Sequence, residues 1–372
     1  MARISRSMSH GVPRAWPVVA AAAAAYAAFT LIALALHDWN PLWFVWIGER
    51  WANLDPKGRS GYDGQFVYYI ARDGWAAVAH LDNAPYRLQR ILYPVLARIL
   101  SGGNPEALPW MMPAINAAAI LATTFLLTRW LIAHGVARWY GLIYPFYVGN
   151  LMSYSRDLTE PLACALAAAA VASWLSDRHA VAIALLATAA LARETATLFV
   201  AGLGVAELLR GRWLRVAGLA SALAPMLIWQ LYLQSQFGVA PATNISRLSL
   251  IPTTSMFSVL NLEPGRLSAL IFIGLPILAF TPLALRWLVQ TPRDPIMWLV
   301  VVHWVFALLL PPRSNLHVLL TGRLLAGFLV ALLFALPRCT TPVRIAIAAC
   351  AVIPALIWLP VVLWWAPWTA KV

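Results

Sequence analysis

Long apolar runs broken by short polar joints set the rhythm of this chain. Runs near residues 17–37, 107–131, 139–153, 159–175, 180–192, 196–209, 214–235, 267–288, 296–311, 318–337 and 345–366 approach or exceed the roughly 18 apolar residues that can cross hydrocarbon. The pattern predicts about eleven transmembrane helices. An outer-membrane barrel would instead show alternating segments of about ten residues, and none is visible. Residues 91–100 are apolar but short, as in an interfacial or re-entrant helix. The joint at 38–106 is by far the longest, and its helical spacings predict amphipathic helices packed at a membrane surface. The expected fold is therefore an all-α polytopic membrane protein with a long first external loop. Two modules are expected: 1–210, which includes that loop, and 211–372.

Composition sharpens this picture. Of 372 residues, 62% are hydrophobic and 11% charged, against about 25% charged in soluble domains. The net charge of +13 does not point to nucleic acid, because the arginines stand singly at the ends of apolar runs, where anchors and snorkelling groups belong. Cys164, Cys339 and Cys350 show no CxxC spacing and read as packing residues. The histidines are scattered and give no metal-ligand spacing. The run from Trp16 to Leu36 exceeds a signal-peptide core of about 7–15 residues and reads as an uncleaved first helix.

Basic residues in short loops set orientation. Starting from Arg3, Arg6 and Arg14, alternate joints carry Arg129 and Arg138, Arg178, then Arg210, Arg212 and Arg215, Arg286 and Arg293, and Arg338 and Arg344. Placing these in the cytoplasm puts the N-terminus inside and the 38–106 loop outside an inner (plasma) membrane. Asp63, Arg90, Asp157, Glu160, Arg193, Glu194, Arg247, Arg313, His317 and Arg323 then gather at the external rim.

Each of these groups has two readings. Asp63 stands in a turn flanked by Gly61 and Gly64, which suits a presented carboxylate but also a helix N-cap. Arg72 and Asp73 read as solvated charges of an amphipathic helix. Arg87 and Arg90 share a helical face and suit a phosphate or lipid headgroups. Asp157 suits a cap or a site. Glu160 lies deeper, where an ionised group costs about 2.5–3.5 kcal/mol, so it is functional or paired with Arg193 or Arg156. The Arg193–Glu194 pair is a plain joint or a polar break feeding a site. Arg323, inside an apolar run, needs a partner or an anion, and His317 beside it is structural or functional.

The series of motifs resembles PIG-V-type mannosyltransferases and their bacterial relatives, within the GT-C class of membrane glycosyltransferases. The resemblance is carried by Gly61-Tyr62-Asp63-Gly64-Gln65 through Trp75, by Arg90-Ile91-Leu92-Tyr93-Pro94, by Tyr154-Ser155-Arg156-Asp157-Leu158-Thr159-Glu160-Pro161, and by Ala190-Leu191-Ala192-Arg193. It covers about residues 15–210. Tyr62 stands where the family carries Trp, Glu194 is not the usual residue after the arginine, and the chain looks closer to a bacterial branch that builds cell-surface glycopolymers.

The resemblance implies transfer of a sugar from a polyprenyl-phosphate-linked donor to a glycan or glycolipid acceptor outside the cell. It needs membrane lipids but no separate cofactor, metal or nucleic acid. Asp63 is then the general base. Gln65, Arg90, Asp157, Glu160, Arg193, Glu194, Arg313, His317 and Arg323 are the expected substrate-binding residues. Two other classes compete: a flippase or transporter of lipid-linked saccharides, which should show repeat symmetry and mid-membrane charges, and a non-catalytic subunit of an envelope assembly complex.

Overall fold

The computed structural model describes residues 2–241, 263–311 and 317–364, with side chains from residue 14 onward. Every regular element among them is helical. A backbone in lipid can satisfy its own N–H and C=O groups only within helices or a closed barrel, and long runs of Ala and Leu favour the helix.

The first helix, α1 (Ala2–Leu36), is apolar from Arg14 onward. That part spans 23 residues, roughly 35 Å at 1.5 Å per residue, enough for a hydrocarbon core of about 30 Å. The 38–106 stretch folds into short helices, including α2 (Gly64–Asp73), α3 (Ala84–Leu88) and α4 (Leu92–Leu100). They share a second core with the start of α5 (Leu108–Ala133), in which Phe66, Tyr69, Tyr93, Leu108 and Met112 are buried together. The long joint is therefore a packed cap on the bundle, as its amphipathic spacing predicts.

Beyond α5 lie α6 (Val148–Ser155), α7 (Glu160–Leu175), α8 (His179–Ala192) and α9 (Thr197–Leu209). Next come α10 (Trp213–Ser221) and α11 (Ala224–Phe237), which run on as one apolar stretch, and α12 (Pro264–Gln290), interrupted by a π-helical turn at Leu270–Gly274. The last four are α13 (Pro295–Leu308), α14 (Val318–Leu324), α15 (Ala326–Ala335) and α16 (Thr341–Trp364).

Among the described residues, five helices are long and apolar enough to cross a membrane: the apolar part of α1, α5, α10 with α11, α12 and α16. A sixth arises if α14 and α15, bent by 61° at their junction and prolonged to Arg338, count as one broken span. These are the dimensions of a multi-pass membrane protein. Helices α7, α8 and α13 are apolar but shorter.

Residues 139–153, expected as a single span, form instead a 3₁₀ turn at Arg138–Ile143 and then α6. Pro145 lacks an N–H to continue a helix, and the Tyr26 hydroxyl donates to its freed carbonyl at 2.8 Å. Ile143, Tyr144, Tyr147 and Val148 are buried against other helices. Their apolar character thus serves the protein interior.

Candidate active site

The loop that carries Asp63 is pressed against the α6–α7 turn by residues without side chains. Gly61 sits at φ +66, in the left-handed region, and a Cβ on Gly64 would collide with the Arg156 carbonyl oxygen. Asp63 occupies the N-cap position of α2 with helical φ −59 and makes no side-chain cap bond. Its carboxylate is therefore turned to other partners. Gln65, wholly buried, donates to the Ser60 carbonyl at 2.6 Å and accepts from the Gly48 N–H at 3.0 Å. It ties the loop together and does not line the cleft described below.

Four arginines meet Asp63 and Glu160 around a cleft at the mouths of α7, α8 and α14. Arg323 donates to Asp63 Oδ2 at 2.7 Å, and Arg87 reaches Oδ1 at 3.0 Å. Arg87 is itself forked onto Asp82 at 2.7 Å and lies over the Phe66 ring. Arg90 grips Glu194 through 2.8 and 2.5 Å contacts and donates to the Tyr86 hydroxyl at 2.6 Å. Arg193 lies 3.0 Å from Glu160 and donates to Thr159 Oγ1 at 3.3 Å. Arg323 is 3.8 Å from Glu160 and its guanidinium stands 5.2 Å above the Tyr62 ring, a cation–π contact. Tyr62 in turn stacks on Trp46.

These groups are mostly withdrawn from water: the Glu160 side chain is 2% exposed, Arg193 5% and Arg323 10%, whereas Asp63 keeps 25%. Burial works to raise the Asp63 carboxyl, but Arg323 and then Arg87 outweigh it and hold it well below the usual carboxylate range. Burial likewise acts upward on Glu194, and Arg90 overrides it, bringing the carboxyl down to about 2.

Much hydrogen-bonding capacity here is unspent. Both Glu160 oxygens, Nε of Arg193, and Nε and Nη1 of Arg323 are buried without a well-formed hydrogen bond. Buried polar groups are normally satisfied, so such a concentration marks where an incoming polar group would bind. Along the cleft wall four guanidiniums face two carboxylates, and Asp82 and Glu194 behind Arg87 and Arg90 balance the remaining charge, so a phosphate here would have to take over arginine contacts now made to carboxylates. The space open to a water-sized sphere is ≈ 20 Å³, about one water, so admitting a sugar requires the wall to move.

Asp63, Arg90, Glu160, Arg193 and Arg323, expected together from the sequence, line this cleft, and Glu194 stands behind Arg90. Arg87 joins them, and Tyr62 lies behind Arg323. Arg87 carries the same signal as Arg90, one turn away on the same face. Glu160 pairs with Arg193 rather than Arg156, whose guanidinium lies over Trp43 and Trp46.

Asp157 is not in the cleft. It holds a left-handed turn at φ +47, beside Asn116, Tyr93 and Arg156, and burial pushes its carboxyl well above the usual range. His317 caps α14 by accepting from the Leu319 N–H at 3.2 Å, and its ring packs on Trp358. Arg313 and Arg247 lie outside the described residues. Among the described residues no group of three or more His, Cys, Asp or Glu could hold a metal ion.

Comparison with protein-family models, with curated proteins and with solved structures found no match for this chain.

Proposed function

We propose that this chain is a GT-C-type membrane glycosyltransferase that moves a sugar from a polyprenyl phosphate to an acceptor hydroxyl at the outer face of an inner membrane. The observation that carries the reading is the meeting of Asp63 with Arg87, Arg323 and the Glu160–Arg193 pair in one cleft. A second feature supports it. An apolar cavity of about 490 Å³ between α12, α15 and α16 begins at Tyr147 and Leu325, two residues from Arg323. A prenyl chain lying there would bring its phosphate to the arginines.

In the reaction, Asp63 takes the acceptor proton and the freed oxygen attacks the anomeric carbon. The bond from that carbon to the phosphate oxygen breaks, and the polyprenyl phosphate leaves with both electrons. Fixed guanidiniums stabilise the negative charge that builds on the phosphate. A carboxylate clamped by two arginines is a weak base. Donor phosphate competes for Arg323 and Arg87, loosens their hold and returns proton affinity to Asp63. Substrate binding and activation of the base are thereby coupled.

The test is a transfer assay in membranes, with radiolabelled polyprenyl-phosphate hexoses and pentoses as donors. Asp63→Asn should lower turnover by about 10²–10⁴-fold with normal membrane insertion. Unchanged turnover in the variant removes Asp63 from the chemistry. No turnover by the wild type with any donor favours a non-catalytic role in an assembly complex.

A further inference from the structure

At the far end of the bundle lies a second cavity that the transfer reaction does not use. Helix α5 carries Met112, whose carbonyl accepts from the Tyr93 hydroxyl under the Asp63 cap, and reaches Trp130 at the cavity, with His134 just past its end. Helix α7 begins at Glu160 in the cleft and ends at Leu175 in the cavity wall, and the α14–α15 pair leads from Arg323 to Arg338. The 15 steps of α7 from Glu160 to Leu175, at 1.5 Å each, set the two sites roughly 23 Å apart along its axis.

This cavity measures ≈ 1000 Å³ and its wall has two characters. Arg129, Arg210, Arg293 and Arg338 supply positive charge, against Asp294 as the sole carboxylate of the wall. Asp294 is engaged, its Oδ2 accepting from Arg338 at 2.6 Å. Arg210 is likewise held by Glu207 at 2.7 Å, whereas Arg293 is exposed and has no ion-pair partner among the described residues. Below the charges the wall turns apolar, with Phe125, Leu126, Trp130, Ala172 and Leu175. Phe125 packs on Trp16 at a ring distance of 5.1 Å, and Trp16 is 55% exposed, so this side of the cavity reaches the outer surface of the bundle.

We infer that this cavity holds an anionic phospholipid from the leaflet that meets this end of the bundle, its phosphate among Arg129, Arg293 and Arg338 and its acyl chains along Phe125, Leu126 and Leu175. A soluble phosphate compound needs the cations but not the greasy wall beneath them. A zwitterionic lipid suits the wall but leaves the surplus charge unmatched. Basic pockets between membrane helices bind anionic headgroups on these grounds. The site is independent of the transfer reaction proposed above.

The test is native mass spectrometry of the full chain extracted from vesicles of equal parts phosphatidylglycerol and phosphatidylcholine. Wild type should retain phosphatidylglycerol in preference to phosphatidylcholine. Arg293→Gln should lower that retention about fivefold, since one cation near a lipid surface contributes roughly 1 kcal/mol. Arg129→Gln should act likewise, while Arg212→Gln, at the same end but outside the cavity, should not. Size-exclusion profiles of all variants report whether they fold, and Arg293, exposed and without a partner, is the least disruptive to replace. Equal retention by wild type and both cavity variants overturns the proposal. So does an equal loss in Arg212→Gln, which would mean diffuse surface attraction, or displacement of the lipid by millimolar inorganic phosphate, which would mean a soluble ligand.

Discussion

Arg323 donates to Asp63 across 2.7 Å, although 260 positions separate them in the chain. The contact joins the cap over the bundle to a helix from its second half, and both ends lie in the cleft. Arg323→Ala should abolish transfer and destabilise the protein by about 3–5 kcal/mol, the usual result of stranding a buried charge. In the Asp63→Asn, Arg323→Ala double variant the loss of stability should be smaller than the sum of the two single losses. Thermal unfolding in a fixed detergent measures it, and strict additivity would mean that the two side chains do not interact.

Glu160 offers a separate prediction because it is almost wholly buried and faces both Arg193 and Arg323. Glu160→Gln keeps its shape but leaves two guanidiniums short of compensating charge. Thermal stability should fall, and phosphate-containing donor should restore more of it in this variant than in wild type. A donor-induced shift equal to that of wild type would argue that the phosphate binds elsewhere.

Acid should loosen the cap over the bundle through Glu194. Its carboxyl, ordinarily near 4.5, is lowered to about 2, burial opposing the shift and Arg90 imposing it. A depressed acid stabilises the fold fully above its unfolded value and loses that contribution as pH falls toward its folded value. Wild type should therefore lose stability between about pH 4.5 and 2, and Glu194→Gln should show a flatter profile across this window. Parallel profiles for the two proteins would rule the pair out as a source of acid sensitivity.

Close backbone approach positions Arg323, and this can be probed without touching any charge. A Cβ on Gly149 of α6 would meet the carbonyl oxygen of Gly322 on α14, which also accepts from the Tyr147 hydroxyl at 2.9 Å. Small residues let membrane helices meet in this way. Gly149→Ala should push α14 away, cost about 1–3 kcal/mol as overpacking does, and reduce transfer with insertion intact. Full activity in a well-expressed Gly149→Ala protein would show that the spacing is slack.

Orientation can be measured directly. Lys57 lies in the exposed part of the cap and Arg212 at the opposite end of the bundle. On the proposed topology a cysteine at 57 reacts with an impermeant maleimide from outside intact cells, and a cysteine at 212 only after the membrane is opened. The reverse pattern would invert the protein and place its cleft in the cytoplasm.

Much of the candidate site was legible because charge is costly in lipid. Arg323 and Glu160 stand out in apolar sequence, and both turn out to be paired in one place. The 38–106 cap was legible from its amphipathic spacing. What escaped was the difference between groups that face a cleft and groups that close a turn. Asp157 and Gln65 belong to the same polar motifs as Glu160 and Asp63, yet one holds a left-handed turn and the other stitches a loop. That distinction depends on side-chain direction in three dimensions, which spacing along a chain does not encode. The 139–153 stretch misled for a related reason: hydropathy reports withdrawal from water and is silent on whether lipid or protein replaces it.

The 61° break between α14 and α15 separates two duties that a straight rod would combine. Below the break, α15 is sunk among its neighbours, with eight of its ten residues buried, so packing and not lipid sets its tilt. Above it, α14 stays docked on α6 through Gly149 and Gly322, and Arg323 travels with it. Neither piece is held by lipid, so sugar transfer should vary little between vesicles of short-chain and long-chain lipids. A steep dependence on acyl length would mean that strain passes through the joint.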